Sequence, residues 1–391
     1  MNQLAFINGE TLRKIRCGKG VSVSYLSKKS RIPESKIDLW ESCCNYDFPT
    51  IKQGEKIADI LQIPFAGLYL IPGNVPENAL PVITNMRRFA FPREDDDSSL
   101  NLAVDWLTSL REETLEIDQE LGRDAPCADI PILSGNPTIA ASQLREWLSF
   151  EENQQKSCSS SRKLYLYIGK KLEERRVLLA QYDNVDLNIA RGVSIYFDTF
   201  PIIGVNSTDH WPAKSFSAIH ELCHLSKRAS AVCNQMSADN SDAEEIYCNA
   251  VAGEFLVPAA SLERMAEDMQ DLLDEKSIAR LAKYFSVSRD VIARRLYNMG
   301  HITKEEYENK LTFYDEEARV DRERQKAQRA AGIESFAMQP AHRLAADKYG
   351  STFCETILRA VEYGIYSEHD ASKRLGVSID RLGLVFKEAM L

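Results

Sequence analysis

The sequence has no apolar run long enough to cross a membrane, and its start lacks a basic segment followed by an apolar core. A spanning helix needs about 20 mostly apolar residues, and a secretory signal peptide needs those two regions in that order. We therefore expect a cytoplasmic protein with no membrane partner.

Paired cysteine motifs are also absent. The nine cysteines are scattered along the chain and none of them forms a CxxC pair. This spacing argues against a zinc ribbon or a thioredoxin-type centre, and it predicts reduced, buried thiols.

Acidic residues outnumber basic ones, so the net charge is -10. Such a balance argues against a general nucleic-acid coat. Residues 8–62 are the exception, with ten Lys or Arg against seven Asp or Glu. If duplex DNA is a partner, it should bind through this segment.

A length of 391 residues predicts two to four domains. The first sixty residues show short helical patterns, with Ser22 as the N-cap of the second helix, and short helices with a tight turn fit a helix-turn-helix domain. Residues 72–97 are rich in Pro, Asn and charge and predict a linker. Residues 98–122 predict one long amphipathic helix.

Three β-rich runs follow, "RRVLLAQY", "GVSIYFDTF" and "PIIGVNS", and they predict a small sheet. Residues 243–257 predict a helix. Residues 276–300 repeat a helix-turn-helix pattern with Ser288 as an N-cap. The charged residues 315–329 predict a solvated helix or linker, and the last forty residues are predicted to be helical.

Directly after the β-rich runs, "SFSAIHELCHLSKRAS" holds two of the six histidines of the chain. On a helix, His220 and His224 lie about 40° apart, so both imidazoles can reach one metal ion. Glu221 lies close enough to take a proton from a water that the metal activates. Leu222 points to the opposite side, which predicts a buried back face.

A peptidase-type zinc site needs a third ligand and leaves one position open. Glu245 has the best position on the downstream helix, because Asn249 lies four residues later and its amide could hold a ligand histidine. Glu244 is the close alternative as third ligand, and Glu254 is a more remote one. Cys223 is expected to be a small packing residue. Tyr247, His210 and Tyr196 are alternative donors to an oxyanion.

These segments resemble a known family. "RGVSIYFDTFPIIGVNSTDHWPAKSFSAIHELCHL" followed by "EEIYCNAVAGEFLVP" is similar to the ImmA/IrrE family of zinc metallo-endopeptidases. The resemblance implies that His220, His224 and Glu245 bind zinc and that Glu221 is the general base. Cys223 stands where the family most often has Gly.

The resemblance also implies a function and partners. Family members typically cleave a repressor-type regulatory protein after stress, which releases genes of mobile elements or defence systems. We therefore expect a protein partner encoded nearby. An extended substrate segment would add to the strand "FPIIGVNS". The alternative is a non-proteolytic DNA-binding regulator or antitoxin that uses the same fold as a scaffold for a toxin.

The N-terminal segment resembles XRE-type helix-turn-helix domains, which are often fused to this peptidase. Arg31 stands where Gly is usual in the turn, and Val23 and Glu34 stand where Gln often contacts DNA. The candidate DNA-contacting residues are Arg13, Lys14, Arg16, Lys28, Lys29 and Lys36. The alternative is a helical module that docks a protein partner or the peptidase domain.

The predicted fold class is mostly α with a small α+β zincin-like metallopeptidase domain. An N-terminal five-helix helix-turn-helix domain and a helical C-terminal region complete it. The predicted divisions are an XRE-like domain (1–71), a linker and long helix (72–125), the metallopeptidase domain (126–270), a second helix-turn-helix-like segment (271–310) and a helical C-terminal region (311–391).

Overall fold

The predicted fold class is confirmed by a computed structural model of the chain, which is mostly helical with one small sheet. None of the described helices is long and apolar enough to span a membrane. The structure describes residues 3–42, 47–75, 84–85, 94–124, 126–228, 230–233, 243–267, 269, 271–330 and 339–390.

Residues 3–42 and 47–75 form an N-terminal helical unit with its own apolar core. Its helices are α1 (Gly9–Gly18), α2 (Val23–Ser30), α3 (Glu34–Glu41) and α4 (Ile51–Ile60), followed by the 3-10 helices Phe65–Tyr69 and Pro72–Asn74. The place of a fifth α-helix is therefore taken by 3-10 turns. Ser22 caps α2 as predicted, since its hydroxyl accepts from the Tyr25 N–H at 3.0 Å. Arg31 adopts the left-handed turn conformation without glycine, at φ 58°.

The N-terminal unit packs against the long helix α5 (Glu94–Glu120), which begins four residues before the predicted start. The buried side chains of Lys19 and Asp105 form an ion pair between them. Close by, the Ser22 N–H donates to Ser98 Oγ at 2.9 Å, and the Asn101 amide donates to the Gly20 carbonyl at 2.9 Å. The N-terminal unit is therefore docked on the rest of the chain.

The sheet has five strands in the order β1-β5-β3-β4-β2. The strands are β1 (Thr84–Asn85), β2 (Leu178–Tyr182), β3 (Gly192–Ile195), β4 (Ile202–Asn206) and β5 (Ala231–Cys233). β3 runs antiparallel to both of its neighbours, and the other pairs are parallel. The three predicted strands are present. β1 and β5 were not predicted, and β1 lies within the predicted linker, whose residues 76–83 and 86–93 lie outside the described residues.

Twelve further α-helices lie after α5 among the described residues, and some of them cover the two faces of the sheet. They are α6 (Pro137–Trp147), α7 (Glu152–Ser157), α8 (Ser161–Glu174), α9 (Trp211–Leu225), α10 (Ala243–Leu256), α11 (Ala259–Ala266), α12 (Glu275–Phe285), α13 (Arg289–Asn298), α14 (Lys304–Ala330), α15 (Ala341–Glu362), α16 (Glu368–Leu375) and α17 (Leu382–Ala389). A short 3-10 helix, Ile379–Arg381, precedes α17.

Alternate side chains of the strands enter two separate cores. Leu179, Ile203 and Val205 pack in one core with α6, α8, α9, α10, α12 and α13. Leu178 and Ile202 pack in the other with α5, α15 and α17. The second helix-turn-helix-like segment thus shares a core with the metal-site helices, and the C-terminal region completes the opposite layer. Ser288 caps α13 as predicted, accepting from the Val291 N–H at 3.3 Å.

The ion pair between Lys19 and Asp105 gives a testable prediction for the docking of the N-terminal unit. Lys19→Met leaves a buried carboxylate without its cation, so we expect a loss of about 3–5 kcal/mol in the free energy of unfolding. Lys19→Met/Asp105→Leu removes both charges and should restore most of that loss. Urea denaturation of the full chain measures both values.

The exposed pair Lys36–Asp47, 3.4 Å apart, is the matched control. Lys36→Met should change the free energy of unfolding by less than about 1 kcal/mol, because solvent screens this pair. A Lys19→Met variant as stable as Lys36→Met would contradict the assigned role of the buried pair.

Candidate metal centre

Helix α9 positions both histidines. Pro212 lies in its first turn, where a proline costs no hydrogen bond and fixes the backbone for a helix. Ala218, Leu222 and Leu225 are fully buried in the core on one side. Because that side is fixed by packing, His220 and His224 are held toward α10.

Three candidate ligand side chains converge between α9 and α10. His220 Nε2 and His224 Nε2 are 3.2 Å apart. Glu245 Oε2 lies 3.3 Å from His220 Nε2, and Glu245 Oε1 lies 3.1 Å from His224 Nε2. Ligand atoms around a tetrahedral ion with bonds of about 2.0–2.1 Å are separated by about 3.3 Å. The three side chains therefore have the spacing of a metal ligand set.

The charges around this cluster favour a cation. Burial raises the pKa of the Glu221 carboxyl, although the two histidines and a hydrogen bond from Ser194 lower it in part. Burial lowers the pKa of His224, but hydrogen bonds with Cys248, Glu244 and Glu245 outweigh it and raise the pKa to about 12. The carboxylates beside His224 therefore favour positive charge at this place. A divalent cation fits this donor set.

Glu221 lies beside the ligands and under β3. It is fully buried, and its Oε2 accepts a hydrogen bond from Ser194 Oγ at 2.8 Å. Its Oε1 has no hydrogen-bond partner among the described residues. A Cβ at Gly192 would lie 2.3 Å from that Oε1, so the glycine makes the space for the carboxylate. The contacts of Gly192 and Ser194 with Glu221 were not predicted, because β3 comes from a distant segment of the chain.

Glu244 lies on the far side of His224. Its Oε1 is 3.3 Å from His224 Nδ1 and 3.2 Å from Lys227 Nζ. Hydrogen bonding with His224 lowers the pKa of Glu244 to about 2, and Lys227 adds to the effect. A carboxylate on the second ring nitrogen orients a ligand histidine and increases its basicity. Glu244 is therefore placed to orient His224 and not to share the ligand atoms.

Asn249 was predicted to hold a ligand histidine. It is buried one turn after Glu245, but its Oδ1 and the Nδ1 of His220 both lack a hydrogen-bond partner among the described residues. Glu254, the remote alternative as third ligand, forms a buried ion pair with Arg295 and accepts from the Ala259 N–H at 2.9 Å.

Cys223 is fully buried in the core as expected, and its thiol donates to the Ile219 carbonyl at 3.2 Å. Burial was not a general rule for the cysteines, since Cys17 and Cys127 are exposed. The six cysteines whose side chains are described are all free thiols.

The three alternative oxyanion donors have other surroundings. The Tyr196 hydroxyl donates to Asp198 at 2.8 Å and accepts from Arg228 at 2.6 Å. His210 is the N-cap of α9, about 15 Å along the helix from His220. Tyr247 is half-buried, with the Lys227 ammonium 5.6 Å from its ring centre.

The candidate DNA-contacting residues are divided between exposed and partly buried side chains. Arg13, Lys28, Lys29 and Lys36 are exposed. Arg16 donates to both carboxylate oxygens of Glu41, at 2.7 and 2.8 Å, and Lys14 donates to the Pro72 carbonyl at 3.1 Å. The N-terminal end of α2, where Val23 stands, lies against α5 through the bond from Ser22 to Ser98.

The predicted docking strand for a substrate is wrong. "FPIIGVNS" contains β4, which pairs with β3 on one side and β2 on the other. Both rows of its backbone hydrogen-bonding groups are engaged, so β4 has no free edge for a peptide.

Two histidines on one helix, a glutamate on the next and a buried glutamate between the histidines define a candidate metallopeptidase centre of the HExxH type. Comparison with protein families supports this class. Residues 182–297 match the family model Peptidase_M78, described as IrrE N-terminal-like domain. The matched region runs from the end of β2 to α13 and contains the whole candidate site. It supports the ImmA/IrrE resemblance for this part of the chain, in a family of zinc metallopeptidases. No curated protein matches the chain.

The contact between Glu244 and His224 predicts an effect on metal affinity. Glu244→Gln removes the charged acceptor at Nδ1, so we expect zinc affinity to fall about 10–100-fold. Competition with a fluorescent zinc chelator measures this change. Glu263, which pairs with His301 at 3.1 Å away from the centre, supplies the control Glu263→Gln. Equal zinc affinities in the two variants would exclude the orienting role.

The space at Gly192 predicts a second effect. In Gly192→Ala the new methyl group overlaps the Glu221 carboxylate, so we expect a loss of about 1–3 kcal/mol in the free energy of unfolding. Gly383→Ala is the control, because no described atom lies within 4 Å of a Cβ there. A Gly192→Ala protein with wild-type stability in urea would show that the carboxylate lies elsewhere.

Proposed function

We propose that the chain is a zinc-dependent endopeptidase that cleaves a specific regulatory protein. The observation that carries this proposal is the convergence of His220, His224 and Glu245 beside the buried carboxylate of Glu221. The two Nε2 atoms are 3.2 Å apart, and each of them lies 3.1–3.3 Å from one of the two Glu245 carboxylate oxygens. Two imidazoles and one carboxylate are a donor set of catalytic zinc sites.

A zinc ion held by His220, His224 and Glu245 would act as a Lewis acid on the scissile carbonyl and lower the pKa of a water molecule. Glu221 accepts the proton of that water and later returns it to the leaving amine. Ser194 donates a hydrogen bond to Oε2 of Glu221, so Oε1 is the oxygen that can accept this proton. Burial raises the pKa of Glu221, which brings it closer to the range in which a carboxylate transfers protons at neutral pH.

A regulatory protein as substrate is supported by the family match of residues 182–297. We propose that, in this arrangement, the N-terminal unit binds a partner protein and does not bind duplex DNA. The exposed face of α3 carries Glu34 and Asp38, which repel phosphates, and α5 covers the start of α2.

A second candidate function is a non-proteolytic regulator or antitoxin that binds its partner through the same fold. The burial of the site favours it, since His220, Glu221, His224 and Glu245 are exposed by only 3%, 0%, 0% and 4%. A polypeptide cannot reach side chains that are closed in this way.

Metal content and cleavage test the proposal together. Wild type and Glu221→Gln should each carry about one zinc ion per chain, and His224→Ala should carry almost none. Mass spectrometry of metals measures this. Only the wild type should cleave a protein encoded by a neighbouring gene, and a chelator should abolish the cleavage.

Stable co-purification with such a protein, without cleavage at full zinc occupancy, would favour the regulator. A near-zero zinc content in wild type and His224→Ala alike would contradict the metallopeptidase.

A further inference from the structure

β3 is the strand that borders the candidate general base. Ser194 donates to the Glu221 carboxylate, and Gly192 leaves the space for it. An extended polypeptide that is to be cut near Glu221 therefore has to lie along β3, since paired strands are separated by about 4.8 Å.

The two sides of β3 differ in how firmly they are occupied. On one side, β4 pairs over four residues and continues into the five-residue pairing with β2. The outer side of β2 is approached by α15, whose backbone bends at Gly350 so closely that a Cβ there would lie 2.4 Å from the Leu179 carbonyl oxygen. This half of the sheet is built into both cores.

On the other side lie β5 and β1, which we name the edge ribbon (Ala231–Cys233 and Thr84–Asn85). β5 pairs with Gly192, Val193 and Ser194, and the first and last of these lie against Glu221. β1 pairs with β5 over two residues only. So short a pairing is weak on its own, and such elements open at the low end of the stability range of a protein.

We infer that the edge ribbon occupies the edge of β3 along which a polypeptide substrate would bind, so that the chain closes its own metal centre. The inference rests on the proposed peptidase function. It explains why the candidate ligands and Glu221 are buried although a peptidase has to admit a polypeptide. The occupant is a piece of this chain, bound by strand addition as a peptide would be.

Hydrogen bonds beside β5 hold the edge ribbon against β3. Beside β5, Ser230 Oγ accepts from the Tyr196 N–H at 2.9 Å, and the Tyr196 hydroxyl accepts from Arg228. β1 lies between the N-terminal unit and α5 in the chain, and these two are joined by the pair of Lys19 and Asp105. Displacement of the ribbon opens the centre.

Proline substitutions in the ribbon test the inference on the full-length, zinc-loaded chain. Val232→Pro removes an N–H from the central residue of β5, which pairs with both Val193 and Asn85. Thr84→Pro/Asn85→Pro removes the N–H groups of β1 alone and serves if Val232→Pro does not fold. Val232→Ala and Thr84→Ala/Asn85→Ala keep every backbone N–H and are the matched controls.

The first measurement is the rate at which dipicolinate removes the metal. We expect both proline variants to lose zinc at least about tenfold faster than wild type, with the alanine variants unchanged, because chelator access requires opening of the ribbon. Equal rates in proline and alanine variants would overturn the inference.

The second measurement does not depend on zinc or on cleavage. Amide hydrogen exchange at residues 192–195 should accelerate in the proline variants and stay slow in the alanine variants. If exchange at residues 192–195 is fast in the proline variants but the wild type binds no zinc, the proposed peptidase is refuted and the covering role of the edge ribbon is retained. If the wild type cleaves rapidly while exchange at β3 stays slow, the covering role of the edge ribbon is refuted and the peptidase function is retained.

Discussion

The meeting of two imidazole nitrogens with one carboxylate, closed off from water, is the interaction on which the rest of the site depends. His220, His224 and Glu245 come from two helices and lie 3.1–3.3 Å apart at their polar atoms. Without a cation, the lone pairs of the two imidazole nitrogens and of the carboxylate would face and repel one another. The arrangement therefore requires either a strongly held proton or a metal ion. Hydrogen bonds to the neighbouring carboxylates raise the pKa of His224, which favours the first, and the spacing of the polar atoms fits the second.

The remaining contacts of the site support that meeting point. Glu244 bonds the outer nitrogen of His224, Ser194 holds one oxygen of Glu221, and the fully buried Leu222 fixes the back of α9. Each of these groups restricts a side chain that would otherwise rotate freely. A site restricted in this way needs little reorganisation when charge develops in it.

Short-range patterns in the sequence predicted much of this. The four-residue spacing of His220 and His224 fixes them on one helical face, and local capping chemistry predicted Ser22 and Ser288 as N-caps. Glu245 was placed with the histidines by its position on the downstream helix. In each case the decisive interaction lies within one or two turns of a helix or between neighbouring segments.

Long-range pairing explains what was missed. β1 and β5 have two and three residues and meet across more than a hundred residues of chain, so neither shows a periodic pattern. For the same reason β4 was assigned a free edge that it does not have. The roles of Gly192 and Ser194 depend on the approach of β3 to α9, and no local pattern reports such an approach.

The N-terminal unit shows how a familiar pattern can be used differently. Its short helices were predicted to form a helix-turn-helix domain; α5 lies against the start of α2, and Lys19 is buried with Asp105. The linker that follows this unit supplies β1 to the sheet. The unit therefore packs on α5, and the segment between them contributes a strand to the sheet beside the candidate metal centre.

X-ray absorption at the zinc K edge of the purified, zinc-loaded chain tests the central claim most directly. The account predicts a first shell of nitrogen and oxygen at about 2.0–2.1 Å with scattering from two imidazoles, and almost no zinc absorption edge in His224→Ala. A shell containing sulfur at about 2.3 Å, or a spectrum that His224→Ala leaves unchanged, would contradict it.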